Sequence, residues 1–313
     1  MRTMHVISHT HWDREWYHTF QQFRLKLVQL VDGLLEILEK DPEFKYFMLD
    51  GQTIVLEDYL LMRPEQEATL RDHIKKGRII IGPWHILPDM FLVGPEAHIR
   101  NLLEGDRTCS KFGPKMMVGY MPDSFGHIAQ MPQILRGFEI KSACLWRGLD
   151  EEPAEFWWQA PDGSRVLMAY LRDSYSNGAF LPAGESTGID SLARFSAALT
   201  GLGLSLSEHS AANDHLIMLG TDHMQPPVNT SENIDYADEM LSRETRVLHS
   251  TLENYLAALQ PALENGTLPT VIGELRNSKR MPLLPGVLST RMWIKQRNNA
   301  SENLLTKWVE PFS

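Results

Sequence analysis

A chain of 313 residues, 43% hydrophobic and 22% charged, has the balance of a folded globular protein large enough for one big α/β domain or two ordinary ones, which excludes a disordered or fibrous chain. Its net charge of −10 offers no basic stripe for phosphates, so neither nucleic acid nor an anionic membrane surface is an expected partner, whereas neutral substrates or metal ions suit it. The two cysteines, Cys109 and Cys144, suggest neither a disulfide framework nor a thiolate metal site and read as buried thiols.

The N-terminus enters a strand without an apolar leader, and no apolar run reaches transmembrane length, so the expected location is the cytoplasm. Glycosylation-type triplets at Asn229, Asn265 and Asn299 then read as chance patterns. Short apolar runs predict strands at 4–8, 46–49, 78–81, 116–120, 143–146, 165–170, 216–219 and 270–272. Between the first two, Phe23, Leu27, Leu30, Val31, Leu34, Leu35 and Leu38 recur at three- and four-residue spacing, the buried stripe of an amphipathic helix. Further helices are expected from Glu65 to Lys76 and from Pro95 onward. Residues 155–159, the turn Pro161-Asp162-Gly163 and the strand from Arg165 read as a hairpin. Strand alternating with helix predicts a single α/β domain with a mostly parallel sheet.

The residues at the strand ends are more informative. In parallel α/β folds, sites gather where the C-terminal ends of strands feed into loops. Here those ends carry His11 and Asp13, then Asp50, Asp89, Asp123, Asp222 and Glu274. Carboxylates crowded into one pocket must be protonated, paired or neutralised by a cation. In extended chain, His11 and Asp13 at i, i+2 point to one side, so an imidazole nitrogen and a carboxylate oxygen can meet one ion, with Asp123 available as a third ligand.

The strings HTHWDREW at 9–16, DGQT at 50–53, GPW at 82–84 with Asp89 beyond, YMPDSFGH at 120–127 and LWRG at 145–148 resemble the bacterial α-mannosidases of glycoside hydrolase family 38, in the branch that includes mannosylglycerate hydrolase. The resemblance continues in order through GELR at 273–276 and LSTRMWIKQRN at 288–298. It implies an α/β barrel of about seven parallel strands, written (β/α)7, over 1–285, with 286–313 as the start of a following helical region, truncated here.

It also implies a retaining α-mannosidase acting on terminal α-mannosides, with zinc on His11, Asp13 and Asp123, Asp123 doubling as the nucleophile, Trp16 and Phe125 as walls of the sugar pocket and Arg147 as a basic residue beside the nucleophile. The fourth zinc ligand is expected outside this chain, so weak zinc binding and little activity are expected of the chain alone, and a homo-oligomer is expected for the parent enzyme. For the acid/base the first candidate is Asp222 and the second Glu274. Two other functions stay open: a metal-dependent deacetylase or amidohydrolase, which can also place His-x-Asp after a first strand, and a carbohydrate-binding module without catalysis.

Overall fold

The computed structural model describes residues 1–183, 188–260 and 268–313, so the triplet at Asn265 lies outside the described residues. The fold is organised around β1 (Arg2–Thr10), seven of whose nine residues are buried, because core clusters cover both of its faces, Met4 and Val6 on one and Ile7 on the other. One edge pairs in parallel with β8 (Asp214–Leu219), from Thr3 opposite Asp214 to Ser8 opposite Leu219. The other is shared: β9 (Thr245–His249) pairs with the start of β1 and β2 (Phe47–Leu49) with its end. Beyond β2 lies β3 (Ile79–Ile80), also parallel.

Helix α1 (Phe20–Lys40) follows β1, and all seven residues of the expected stripe are buried. They pack with Phe47, Leu49 and Tyr59 in one core cluster, the last from α2 (Ile54–Leu60). Helices α3 (Glu67–Lys75) and α4 (Pro95–Phe112) flank β3 in sequence.

A second sheet comprises β4 (Gly119–Met121), β5 (Ser142–Leu145), β6 (Glu155–Gln159), β7 (Arg165–Tyr170) and β10 (Thr270–Ile272), in the order β10-β6-β7-β5-β4. Every pairing in it is parallel except the β6–β7 hairpin, whose turn is the Pro161-Asp162-Gly163 signal. Its α5 (Met131–Gly137) packs Met131 and Leu135 against Phe156, Trp158 and Met168.

The two sheets meet at two seams. After β3, Ile81 bridges in parallel to Lys115, just ahead of β4, and the Met116 N–H donates to the Ile81 carbonyl at 3.0 Å. At the other seam a side chain supplements a single backbone bond: Asn177, seven residues past β7, donates to the Leu216 carbonyl at 3.0 Å and accepts from the Met218 N–H at 2.7 Å, while the Gly178 N–H donates to the Met218 carbonyl at 3.0 Å. The parallel strands β8, β1, β2, β3, β4, β5 and β7 thus run in barrel order, mostly parallel as expected. Among the described residues no strand ladder joins β7 to β8. Helices α6 (Ile189–Ser207) and α7 (Thr230–Leu241) close the outer face of β8 and β9 through Phe195, Leu199 and Ile234, and α8 (Leu252–Ala258) inserts Tyr255 among the inner strands.

Three strands differ from expectation, the first being β4, which begins at Gly119 rather than at residue 116. The run 270–272 is a strand but an outer one, pairing with β6 and only partly covered. β9 was not expected, because Arg246 interrupts its apolar run; pairing with β1 overrides that local pattern. Past residue 280 the chain forms α9 (Gly286–Ser289) and α10 (Met292–Leu304) and stays helical to Phe312, with Leu304, Leu305, Trp308 and Val309 exposed. Cys109 and Cys144 are buried free thiols. Among the described residues no helix is long and apolar enough to cross a membrane.

Candidate active site

The site begins where β1 runs out. Beyond Thr10 the chain stays locked to the end of β8: the His11 N–H donates to the Thr221 carbonyl at 3.2 Å, the His223 N–H donates to the His11 carbonyl at 2.8 Å, and His11 bridges to Asp222. Gly220 permits this approach, since a Cβ there would stand 2.0 Å from the His9 carbonyl oxygen. The ladder holds His11 and Asp222 side by side.

On the opposite edge, Asp50 follows β2 with a left-handed backbone, φ 52°. Its fully buried carboxylate accepts from His11 Nδ1 at 3.0–3.1 Å, from the Trp12 N–H at 2.7 Å and from Gln52 Nε2 at 2.9 Å. Because Nδ1 is engaged, Nε2 faces Asp13, whose Oδ1 lies 3.6 Å away. Burial disfavours the charged imidazole, but Asp50 and Asp13 outweigh it and hold the His11 pKa well above the ordinary value. Burial also pushes Asp13 upward, and the His11 contact more than reverses this, so its pKa ends below the usual range. The next residue anchors the loop: Arg14 makes a two-pronged pair with the buried Asp58 at 2.6 and 2.9 Å.

Asp123 lies just past β4, and Arg147 just past β5 comes to meet it. Arg147 Nε donates to Asp123 Oδ1 at 2.7 Å while Nη1 donates to the Pro282 carbonyl at 2.6 Å. The guanidinium lies over Trp146 at 4.1 Å and Phe125 at 5.7 Å. Burial raises the Asp123 pKa against the opposing pull of Arg147 and His11, and the nearby charge of Asp222 raises it further. A cavity of about 170 Å³ is lined by His11, Asp13, Leu87, Pro88, Asp89, Asp123, Ser124 and Phe125. Burial raises the pKa of Asp89 there too.

Of the expected site residues, the structure brings His11, Asp13, Asp123 and Phe125 to one cavity, with Arg147 behind Asp123. Asp222 stands beside His11 and accepts from the Tyr175 hydroxyl at 2.8 Å. Trp16 is 67% exposed, rests on Tyr17 and does not line the cavity. Glu274 is exposed, 3.6 Å from Arg276, on a segment whose Leu275 and Asn277 bridge to His127 and Gly148 across the ends of the second sheet. Tyr175 escaped the sequence reading; nothing in DSY at 173–175 distinguishes it from a surface polar residue. The part played by Asp50 was only half legible, as one acid among several at strand ends.

Whether a zinc ion suits these residues can be judged from the donors. Two ligands on arms of 2.0–2.1 Å stand about 3.3 Å apart in a tetrahedral site, close to the 3.6 Å between His11 Nε2 and Asp13 Oδ1. A carboxylate behind the other imidazole nitrogen is the usual support of a metal-binding histidine, and Asp50 supplies it. The third donor, Asp123, is turned to Arg147, and among the described residues no three His, Cys, Asp or Glu side chains form a preassembled cluster. The donor chemistry fits zinc once the ion displaces the proton on His11 Nε2, with His11 and Asp13 already near ligand spacing.

Parallel strands in barrel order, with carboxylates, an imidazole and an arginine gathered at their C-terminal ends, define an α/β domain of the barrel-like class with its candidate site at the strand ends. The chain belongs to glycosyl hydrolase family 38: the model of that family's N-terminal domain matches residues 1–274. A protein of Halalkalibacterium halodurans provisionally named mannosylglycerate hydrolase is 39% identical over 99% of this chain and 36% of its own length. Human alpha-mannosidase 2C1 is 29% identical over 55% of this chain and 17% of its own. The crystal structure of an alpha-mannosidase from Enterococcus faecalis V583 superimposes with a TM-score of 0.80 at 35% identity, over 88% of this chain and 31% of that one. The chain therefore spans about a third of the length of the first of these relatives.

Proposed function

We propose that this domain carries the reaction centre of a retaining α-mannosidase acting on terminal α-mannosides. The observation that carries the reading is the convergence of Asp123, Asp13 and His11 on one cavity, with Asp222 bridged beside His11 at its edge. Family membership and the names of the relatives support the choice of sugar.

Arg147 takes Oδ1 of Asp123, and among the described residues no hydrogen bond takes Oδ2. That oxygen attacks the anomeric carbon as the bond to the leaving group breaks, giving a mannosyl ester of Asp123. Asp222 gives a proton to the departing oxygen. As a carboxylate it then takes one from the water that cleaves the ester, and the anomeric configuration is retained over the two displacements. Tyr175 holds Asp222 in place through its 2.8 Å bond, and Phe125 offers an apolar wall for the sugar face. A zinc ion held by His11, Asp13 and Asp123 would supply a positive charge that binds adjacent sugar hydroxyls and keeps the carboxylates ionised.

The test is covalent trapping with a fluorinated α-mannosyl fluoride, followed by peptide mass analysis. One added fluorohexosyl group on the peptide containing Asp123, and loss of aryl α-mannosidase activity in Asp123→Ala, are expected. A label on another residue, or unchanged turnover by the variant, overturns the assignment.

A further inference from the structure

His223 follows Asp222 directly and has no part in the chemistry above. Its backbone is left-handed, φ 55°, which a non-glycine residue adopts only when its surroundings enforce it. The surroundings here are specific. Its N–H donates to the His11 carbonyl at 2.8 Å, and its ring, 4% exposed, stacks on Phe23 at 4.3 Å and meets Trp12 edge-on at 4.9 Å.

Both ring nitrogens have partners whose roles are fixed by chemistry. Nε2 lies 3.3 Å from the Asp13 carbonyl oxygen and 3.9 Å from Asp13 Oδ2, while Nδ1 lies 3.4 Å from the Tyr17 hydroxyl. A carbonyl can only accept, so Nε2 carries the hydrogen and Nδ1 accepts from Tyr17. The neutral imidazole spans the loop after β1 while its backbone fixes the turn after Asp222.

We propose that His223 is a positioning residue that sets Asp13 in register with Asp222, so that a carboxylate of the metal-binding set and the group moving the proton keep a fixed relation. The inference rests on the roles given to Asp13 and Asp222 under the proposed function. Packing alone needs neither nitrogen, because a phenyl ring would stack on Phe23 and Trp12 equally well. The two nitrogen contacts are what packing leaves unexplained.

The experiment compares the native protein with His223→Phe, which keeps the stack and loses Nε2, and with His223→Gln, whose amide can again donate to Asp13. Zinc affinity is measured by chelator competition, amide hydrogen exchange over 11–16 by mass spectrometry, and kcat and KM with an aryl α-mannoside. Expected for His223→Phe are a native-like Tm, faster exchange over 11–16, zinc binding weakened by roughly 10- to 100-fold and a fall in kcat larger than the change in KM, with partial recovery in His223→Gln. Native exchange and native zinc affinity in His223→Phe would overturn the proposal. Should that variant not fold, His223→Asn, which tolerates the left-handed backbone but is too short to reach Asp13, takes its place. If the native protein itself binds no stoichiometric zinc, the metal reading falls, and the exchange measurement still decides whether His223 holds Asp13.

Discussion

Arg147 and Asp123 face each other across the ends of two adjacent strands, with Nε and Nη2 of the arginine both 2.7 Å from the same oxygen, Oδ1. One carboxylate oxygen is thus charge-paired, while among the described residues no hydrogen bond takes the other. Replacing Arg147 by Met removes the main positive charge opposing the burial of Asp123 and strips the Pro282 carbonyl of its donor. A charge-assisted hydrogen bond of this kind is worth about 1.5–3 kcal/mol. The expected outcome is a fall in kcat of the order of tens-fold or more, with KM less affected. Arg147→Lys should recover only part of it, because an ammonium cannot reproduce the fork. Steady-state kinetics on both variants checks this, and a change confined to KM would count against it.

Gly220 makes a second, steric prediction. Any side chain there collides with the His9 carbonyl, which is backbone and cannot swing away. Gly220→Ala is therefore expected to push the end of β8 from β1 and to destabilise the fold by about 1–3 kcal/mol. Asp222 and His11 should separate with it, so activity should fall further than stability at a temperature where the variant is still folded. Denaturant titration with parallel assays distinguishes this from a purely global effect.

Metal removal probes the His11–Asp13 pair. A ligand that binds only the folded state raises stability by RT ln(1 + [L]/Kd), about 2.7 kcal/mol at a hundredfold excess over Kd. Dialysis against a chelator should lower Tm, and zinc should restore it. In His11→Ala and Asp13→Ala the Tm should be nearly indifferent to zinc, since each loses one of the two donors that already stand 3.6 Å apart. Equal zinc responses in the native protein and both variants would place the ion elsewhere.

Much of this architecture is legible in the sequence because local pattern and tertiary environment agree. The stripe from Phe23 to Leu38 is buried as its spacing demands, and Asp123 sits at a strand end as its place after an apolar run demands. Legibility fails where a residue's role depends on what another part of the chain brings to it. Arg246 hides β9, which exists because β1 has a free edge to offer. Trp16 carries the composition of a sugar platform yet points to solvent beside Tyr17. Tyr175 reaches Asp222 only because the segment after β7 stands in for a strand at the β8 seam. The electrostatic support of His11 came from Asp50, thirty-nine residues away, a distance over which spacing carries no geometric meaning.

Acid should destabilise the protein partly through His249, at the end of β9. The Lys45 N–H donates to its Nδ1 at 3.2 Å, so Nε2 carries the hydrogen and donates to Ser8 Oγ at 3.0 Å. A second proton would have to enter at Nδ1, against an amide N–H, in a buried setting. Burial accordingly lowers the pKa from 6.5 to about 4, with the Lys45 charge adding to it. Because the folded pKa is depressed, the unfolded chain takes up a proton that the folded chain refuses as pH falls below 6.5. The contribution is therefore complete above that pH and is lost progressively down to about 4, where it levels off. The loss from this one residue approaches roughly 3 kcal/mol. In His249→Gln the amide can keep both hydrogen bonds without titrating. The stability difference between native and variant, measured by urea unfolding, should therefore shift against the native protein between about pH 7 and about pH 4.5. A difference that stays constant over that range would show that His249 is protonated in the folded protein as readily as in the unfolded chain.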